Sequence, residues 1–118
     1  MSTDTTIRTC LADRIRIYLY EVYDKPSITY KSSYTYKLRN TPRLSKESLD
    51  RALSVYNTIR GDIFLNGKNP RIVAAALMYI SCVMEGDPVT QEDICILFHC
   101  SHNAIRNMYK KLRIYFHL

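Results

Sequence analysis

At 118 residues the chain is one domain by length, large enough for a single helical core and too short for two. Its 47% apolar and 24% charged residues are those of an ordinary soluble globular protein, and the longest apolar run, Ile72 to Ile80, is too short to span a bilayer. A net charge of +6 and a pI near 9.2 favour an anionic partner without identifying it. Met1 to Thr6 is polar and no basic-then-apolar run follows it, so no signal peptide is expected. The expected compartment is intracellular and reducing: cytoplasm, nucleus or an infected host cell.

In chain order, Ile7, Leu11, Ile15, Tyr18, Leu19 and Val22 share one face at helical spacing. Arg14 to Leu19 also alternates like a strand, but the helical stripe is longer, so the spacing predicts a helix that Lys25-Pro26 ends. Ser27 to Arg43 is the least legible part; Tyr30, Tyr34 and Leu38 share a face and suggest a short helix before Thr41-Pro42 breaks it. Ser45 caps a helix carrying Leu49, Leu53, Tyr56 and Ile59, and Gly61 to Gly67 loosens its end. Asn69-Pro70 opens a helix that is apolar on nearly every side from Ile72 to Met84, and Gly86 closes it. Thr90-Gln91-Glu92-Asp93 starts a short helix, a turn runs through His99-Cys100-Ser101, and Asn103 to Phe116 forms the last helix. The chain therefore reads as a single all-α domain over 1–118, with a helix-turn-helix at 90–116.

Helix geometry sorts the last segment into two faces. Ile105, Met108, Tyr109, Leu112 and Phe116 form one apolar stripe. Asn103, Asn107, Lys110 and Ile114 lie opposite, with Arg106 and Arg113 on one flank and Lys111 on the other. Ile94, Leu97 and Phe98 are expected to pack beneath, with small Cys95 where the two helices approach. His99 stands where such turns usually carry Gly, a position of positive φ that His tolerates better than most residues. Four Lys/Arg residues and no carboxylate lie between Ser101 and Leu118. One reading puts Asn103, Arg106, Asn107, Lys110, Lys111 and Arg113 against double-stranded DNA, with Asn and Arg suited to base edges and Lys to phosphates. The other is a solvated basic face, where cations also suit the C-terminal end of the helix dipole.

At this point the residues carry a resemblance. Gly67-Lys68-Asn69-Pro70, Ala74 to Ile80, Thr90 to Ile94 and Ile105 to Lys110 resemble one cyclin-like repeat of the transcription factor IIB family, most closely the second repeat of its archaeal members. A weaker match runs back through Leu44 to Ile59, and residues 1–43 show none. The resemblance implies a cyclin-like fold of about five helices over 44–118 with Ile72 to Glu85 at its centre, preceded in 1–43 by an extra N-terminal helix and a basic, Tyr-rich segment. It implies that Asp93 to Lys110 reads the recognition element beside a TATA box in the major groove. Arg106 aligns with the family's base-contacting arginine, Ala104 and Ile105 with the small and apolar residues before it, and Tyr109 with a packing tyrosine. The family carries two such repeats and a zinc ribbon built from paired C-x2-C. One repeat without a ribbon implies a minimal DNA-binding relative, such as a viral one, or a competitor of the full-length factor.

Further features can be weighed between functional and plain readings. Lys25 to Lys46 holds six Lys/Arg residues and no acid, interleaved with Tyr30, Tyr34 and Tyr36. Lys31, Lys37, Arg39 and Arg43 there form a second candidate basic surface, the alternative being a solvated loop with half-buried tyrosines. Ten tyrosines against three phenylalanines suit a partner-binding surface or a homodimer built through the N-terminal helix. Cys10, Cys82, Cys95 and Cys100 contain no C-x2-C pair, and with His99, His102 and His117 scattered, structural thiols are expected rather than a metal site or any cofactor. Asp87, Glu92 and Asp93 are expected to serve loop solvation and first-turn charge. No nucleophile-base pair or Gly-rich phosphate loop is present, so an enzyme is not expected. The rival to DNA binding is a protein-interaction module of the same fold that meets an acidic partner or the TATA-binding protein.

Overall fold

The computed structural model describes residues 14–118, which hold five α-helices and one β-hairpin. The elements run α1 (Arg14–Tyr23), β1 (Thr29–Lys31), β2 (Leu38–Asn40), α2 (Lys46–Ile59), a 3-10 turn (Ile63–Leu65), α3 (Pro70–Glu85), α4 (Gln91–Phe98) and α5 (His102–Phe116). The expected helical positions before Arg14, and Cys10, lie outside the described residues.

Helix α3 is the axis of the molecule. Asn69 caps it by accepting from the Arg71 amide, Pro70 supplies a preset first turn, and Gly86 closes it at φ 76°. Val73 to Met78 are fully buried and α3 packs against each of the other four helices. Three consecutive alanines, Ala74, Ala75 and Ala76, permit that approach from several sides at once. The N-terminal stripe is helical, as its longer period predicts, with Ile15, Leu19 and Val22 buried. Lys25 ties the end of α1 to the end of α4, donating to the Leu97 carbonyl at 2.6 Å.

Two polar clamps join sequence-distant elements. Asp87, which follows the end of α3, accepts from the Ser45 amide (3.2 Å), Ser45 Oγ (2.8 Å) and Ser48 Oγ (2.6 Å) at the start of α2. Burial raises its pKa, but the Ser48 and Ser45 bonds outweigh that and hold the carboxyl below the usual aspartate range. Asp87 is thus a helix clamp, and its expected role in loop solvation is corrected. Arg51 pairs with Glu85 at 3.1 Å, an exposed contact of small worth.

The segment 27–43 overturns an expectation. Instead of a short helix from Tyr30 to Leu38, it forms an antiparallel hairpin pairing Thr29 with Asn40, Tyr30 with Arg39 and Lys31 with Leu38. The helical stripe fails because Tyr34 and Leu38 are 65% and 77% exposed, leaving a helix nothing to bury. Period two wins: Tyr30 on one strand and Arg39 opposite it on the other turn inward, as does Ser32 just past β1.

Of the described cysteines, Cys82 and Cys95 are buried free thiols and Cys100 is a partly buried one. Burial pushes Cys82 up to about 12 and Cys95 to about 11, so both pack as small hydrophobes.

Crowding around α3 has a measurable consequence. Ala75→Leu should overpack the core and cost about 1–3 kcal/mol, lowering Tm by several degrees. An unchanged melting curve would show that the neighbouring helices do not close on Ala75.

Candidate nucleic-acid interface

The helix-turn-helix is built by local rules. Thr90 and Asp93 form a capping box: Thr90 Oγ1 accepts from the Asp93 amide at 3.1 Å, and Asp93 Oδ2 accepts from the Thr90 amide at 3.0 Å. Helix α4 ends where His99 takes the left-handed conformation at φ 55°, as expected for a turn position usually held by Gly. Cys100 donates back to the Cys95 carbonyl at 3.1 Å, and Ser101 caps α5 by accepting from the Ala104 amide at 3.2 Å. Only three residues separate the two helices, so α5 is held firmly against α4.

The buried face of α5 is the stripe read from spacing. Ile105, Met108 and Leu112 are buried, and Tyr109 and Phe116 are half-buried. Tyr109 packs edge-to-face on Tyr79 of α3 with ring centroids 5.3 Å apart. Beneath lie Ile94, Leu97 and Phe98, all buried in α4.

The opposite face of α5 is brought to solvent as a set. Asn103, Arg106, Asn107, Lys110 and Lys111 are exposed, and none holds an ion pair among the described residues. Arg113 is also exposed but is folded onto its own helix: it donates to the Tyr109 hydroxyl at 3.0 Å and to the Leu118 carbonyl at 3.3 Å. Of the second group, Lys31, Lys37 and Arg43 are exposed, whereas Arg39 turns inward. Tyr34 and Tyr36 are 65% and 75% exposed, so of the three tyrosines only Tyr30 is half-buried.

The residues that sequence reasoning undervalued are Glu92 and Asp93. Asp93 is fully buried and its carboxylate takes four bonds. Arg39 holds it bidentately, Nε to Oδ1 at 2.9 Å and Nη2 to Oδ2 at 2.8 Å. The Tyr30 hydroxyl adds a bond to Oδ1 at 2.6 Å, and the Thr90 amide completes the shell. Burial pushes this carboxyl up, yet Arg39, Tyr30 and Thr90 together more than offset it and keep it below the usual range. Tyr30 is driven the other way, to about 12, by its own burial and by the Asp93 carboxylate. Glu92 accepts from Ser32 Oγ at 2.6 Å, from the Ser33 amide at 2.9 Å and from Ser33 Oγ. Both carboxylates therefore stand in the first turn of α4, as expected, and in addition bind the hairpin to it from buried positions.

A match to the family described as the transcription factor TFIIB repeat covers residues 27–114. The chain belongs to the TFIIB repeat family. The match reaches back across the hairpin, into the stretch where no motif was legible. The chain is 30% identical over 97 residues to the transcription initiation factor IIB of Pyrobaculum neutrophilum, covering 82% of this chain and 29% of that protein. It is 35% identical over 72 residues to transcription initiation factor IIB 2 of Thermococcus kodakarensis, covering 61% of this chain and 21% of that one. A third relative, the transcription initiation factor IIB of Ignicoccus hospitalis, is 29% identical over 70 residues, covering 59% and 22%. The chain thus spans less than a third of the length of these relatives. Its mostly helical architecture fits a cyclin-like TFIIB repeat.

The Asp93 shell yields a pH-dependent expectation. Arg39→Ala removes two of its four bonds and should cost about 1–3 kcal/mol near neutral pH, less than a sealed site would lose because Arg39 is partly exposed. The folded carboxyl titrates below its unfolded value of about 4, so this stability is present above that pH and is lost as pH falls through the folded value. Urea denaturation of wild type and Arg39→Ala from pH 7 downward should show two curves that converge in acid. A gap that stays constant into acid would mean that the ionised carboxylate is not what Arg39 stabilises.

Proposed function

We propose that the chain is a non-enzymatic, intracellular DNA-binding repeat acting in transcription or its regulation, and that α5 enters the major groove of double-stranded DNA. The observation that carries this reading is the outer face of α5. It presents Asn103, Arg106, Asn107, Lys110 and Lys111 together and unpaired, on a helix with no carboxylate, at the end of a capped helix-turn-helix. Asn and Arg side chains supply the donor patterns that read adenine and guanine edges, and lysines supply point charges for phosphates. Relatives carrying the name transcription initiation factor IIB support a place in transcription initiation for this repeat. The TATA-binding protein is the protein partner that such a placement proposes.

A second reading, a repeat that docks a transcription protein without reading DNA, draws on the far end of α5. There Ile114 and Tyr115 are exposed, Tyr115 stacks on Phe64 at 4.4 Å, and neighbouring Ile63 is 75% exposed. An apolar group of this kind suits a protein surface better than a phosphate backbone.

Substitutions separate the two. Arg106→Ala should cost about 1–3 kcal/mol on a preferred duplex and flatten discrimination among sites. Lys110→Ala should weaken all duplexes alike and lower the salt slope by about one unit. Mobility shifts across a salt series measure both. Equal binding of every duplex by wild type and Arg106→Ala would remove sequence reading and favour the protein partner.

A further inference from the structure

The hairpin bridges the N-termini of both helices of the helix-turn-helix. Ser32 and Ser33 hold Glu92 in the first turn of α4, and the Tyr34 ring meets the His102 ring at the first residue of α5, centroids 5.4 Å apart. The Tyr34 hydroxyl lies 3.4 Å from His102 Nδ1. In a helix-turn-helix the first helix crosses the DNA backbone and the N-terminal residues of the second face the bases. The tip of the hairpin is therefore fixed on the side that DNA would approach.

That tip presents an exposed cation beside exposed aromatic rings, groups suited to a polyanion. Tyr36 adopts φ 58°, a left-handed conformation unfavourable for a residue with a Cβ, and yet it is 75% exposed. Its amide donates to the Ser32 carbonyl at 2.9 Å, so the left-handed residue closes the hairpin turn and leaves its ring in solvent. Lys37 is exposed and holds no ion pair among the described residues. It lines an open groove of about 570 Å³ between the hairpin and the start of α4, together with Thr35, Thr90 and Gln91. The one carboxylate on that groove, Glu92, is buried and capped by the two serines, and Asp93 behind it is neutralised by Arg39. Arg39, the other cation on this groove, is committed to Asp93, which leaves Lys37 as the lining cation without an ion pair among the described residues.

Resting on the DNA-binding reading above, we propose that the hairpin tip, Tyr34, Tyr36 and Lys37, is a second DNA-contacting element. It grips the phosphate backbone flanking the groove that α5 enters, with Lys37 on a phosphate and Tyr36 against the sugar-phosphate edge. The tip reads no base and adds affinity for every duplex alike.

Hydroxyl-radical footprinting and salt-series mobility shifts on duplex DNA, with wild type, Lys37→Ala, Tyr36→Gly and Arg106→Ala, test this. Lys37→Ala should weaken all duplexes several-fold, lower the salt slope by about one unit and shorten the footprint at one edge, with site preference intact. Tyr36→Gly should keep or raise Tm, since glycine accepts the left-handed turn, while weakening binding. Arg106→Ala should instead alter preference and keep the footprint's length. If wild type binds duplex DNA and Lys37→Ala leaves affinity, slope and footprint unchanged, the hairpin is not a contact and the role of α5 stands. If wild type binds no duplex, both inferences fall.

Discussion

One buried carboxylate organises the helix-turn-helix end of this molecule. Asp93 is at once the third residue of α4, half of the capping box with Thr90, and the anchor for Tyr30 and Arg39 of the hairpin. A buried charge is tolerable only when its lone pairs are satisfied, and here four donors converge on two oxygens. The same ion thereby fixes where α4 begins, how the hairpin lies over it and, through a three-residue turn, how α5 is presented. Glu92 repeats the arrangement one residue earlier with serine donors. Polar contacts orient the helix-turn-helix, and the apolar core supplies most of the favourable burial.

That core is organised by α3. A helix with small residues on several sides can be surrounded, and the middle of α3, Val73 to Met78, is fully enclosed. At the periphery α5 needs only one apolar stripe to stay attached. Ile105, Met108 and Leu112 suffice for attachment, which frees the remaining positions for polar chemistry. The cationic face of α5 is in this sense a consequence of how little of its circumference packing requires.

The parts legible in the sequence are those specified locally. Asn69-Pro70, Gly86, Thr90, His99 and Ser101 mark helix boundaries through bonds that span a few residues, and each stands at its expected boundary. The stripes of α1 and α5 were legible because one face meets the core at a constant period. The hairpin was not, because its reason to form is distant: Tyr30 and Arg39 reach a carboxylate 63 and 54 residues away. Three aromatic and apolar residues at helical spacing outweighed a short alternation whose inward members are polar. The Asp87 clamp and the bonds of Glu92 to the hairpin were hidden for the same reason, since acids near helix ends look solvated until their serine partners come into view. Within the candidate site, the exposed set on α5 was legible from the helical wheel, whereas the retraction of Arg113 onto Tyr109 and Leu118 was not.

The most direct measurement is a titration of the ¹⁵N-labelled protein with duplex DNA, followed amide by amide by NMR. If DNA is met through the face that Asp93 positions, shifts should concentrate at Asn103, Arg106, Asn107 and Lys110 and leave the apolar end at Ile63, Phe64 and Tyr115 unmoved. Shifts confined to that apolar end, or none at any DNA concentration while an acidic protein partner perturbs α5, would contradict DNA recognition by this helix.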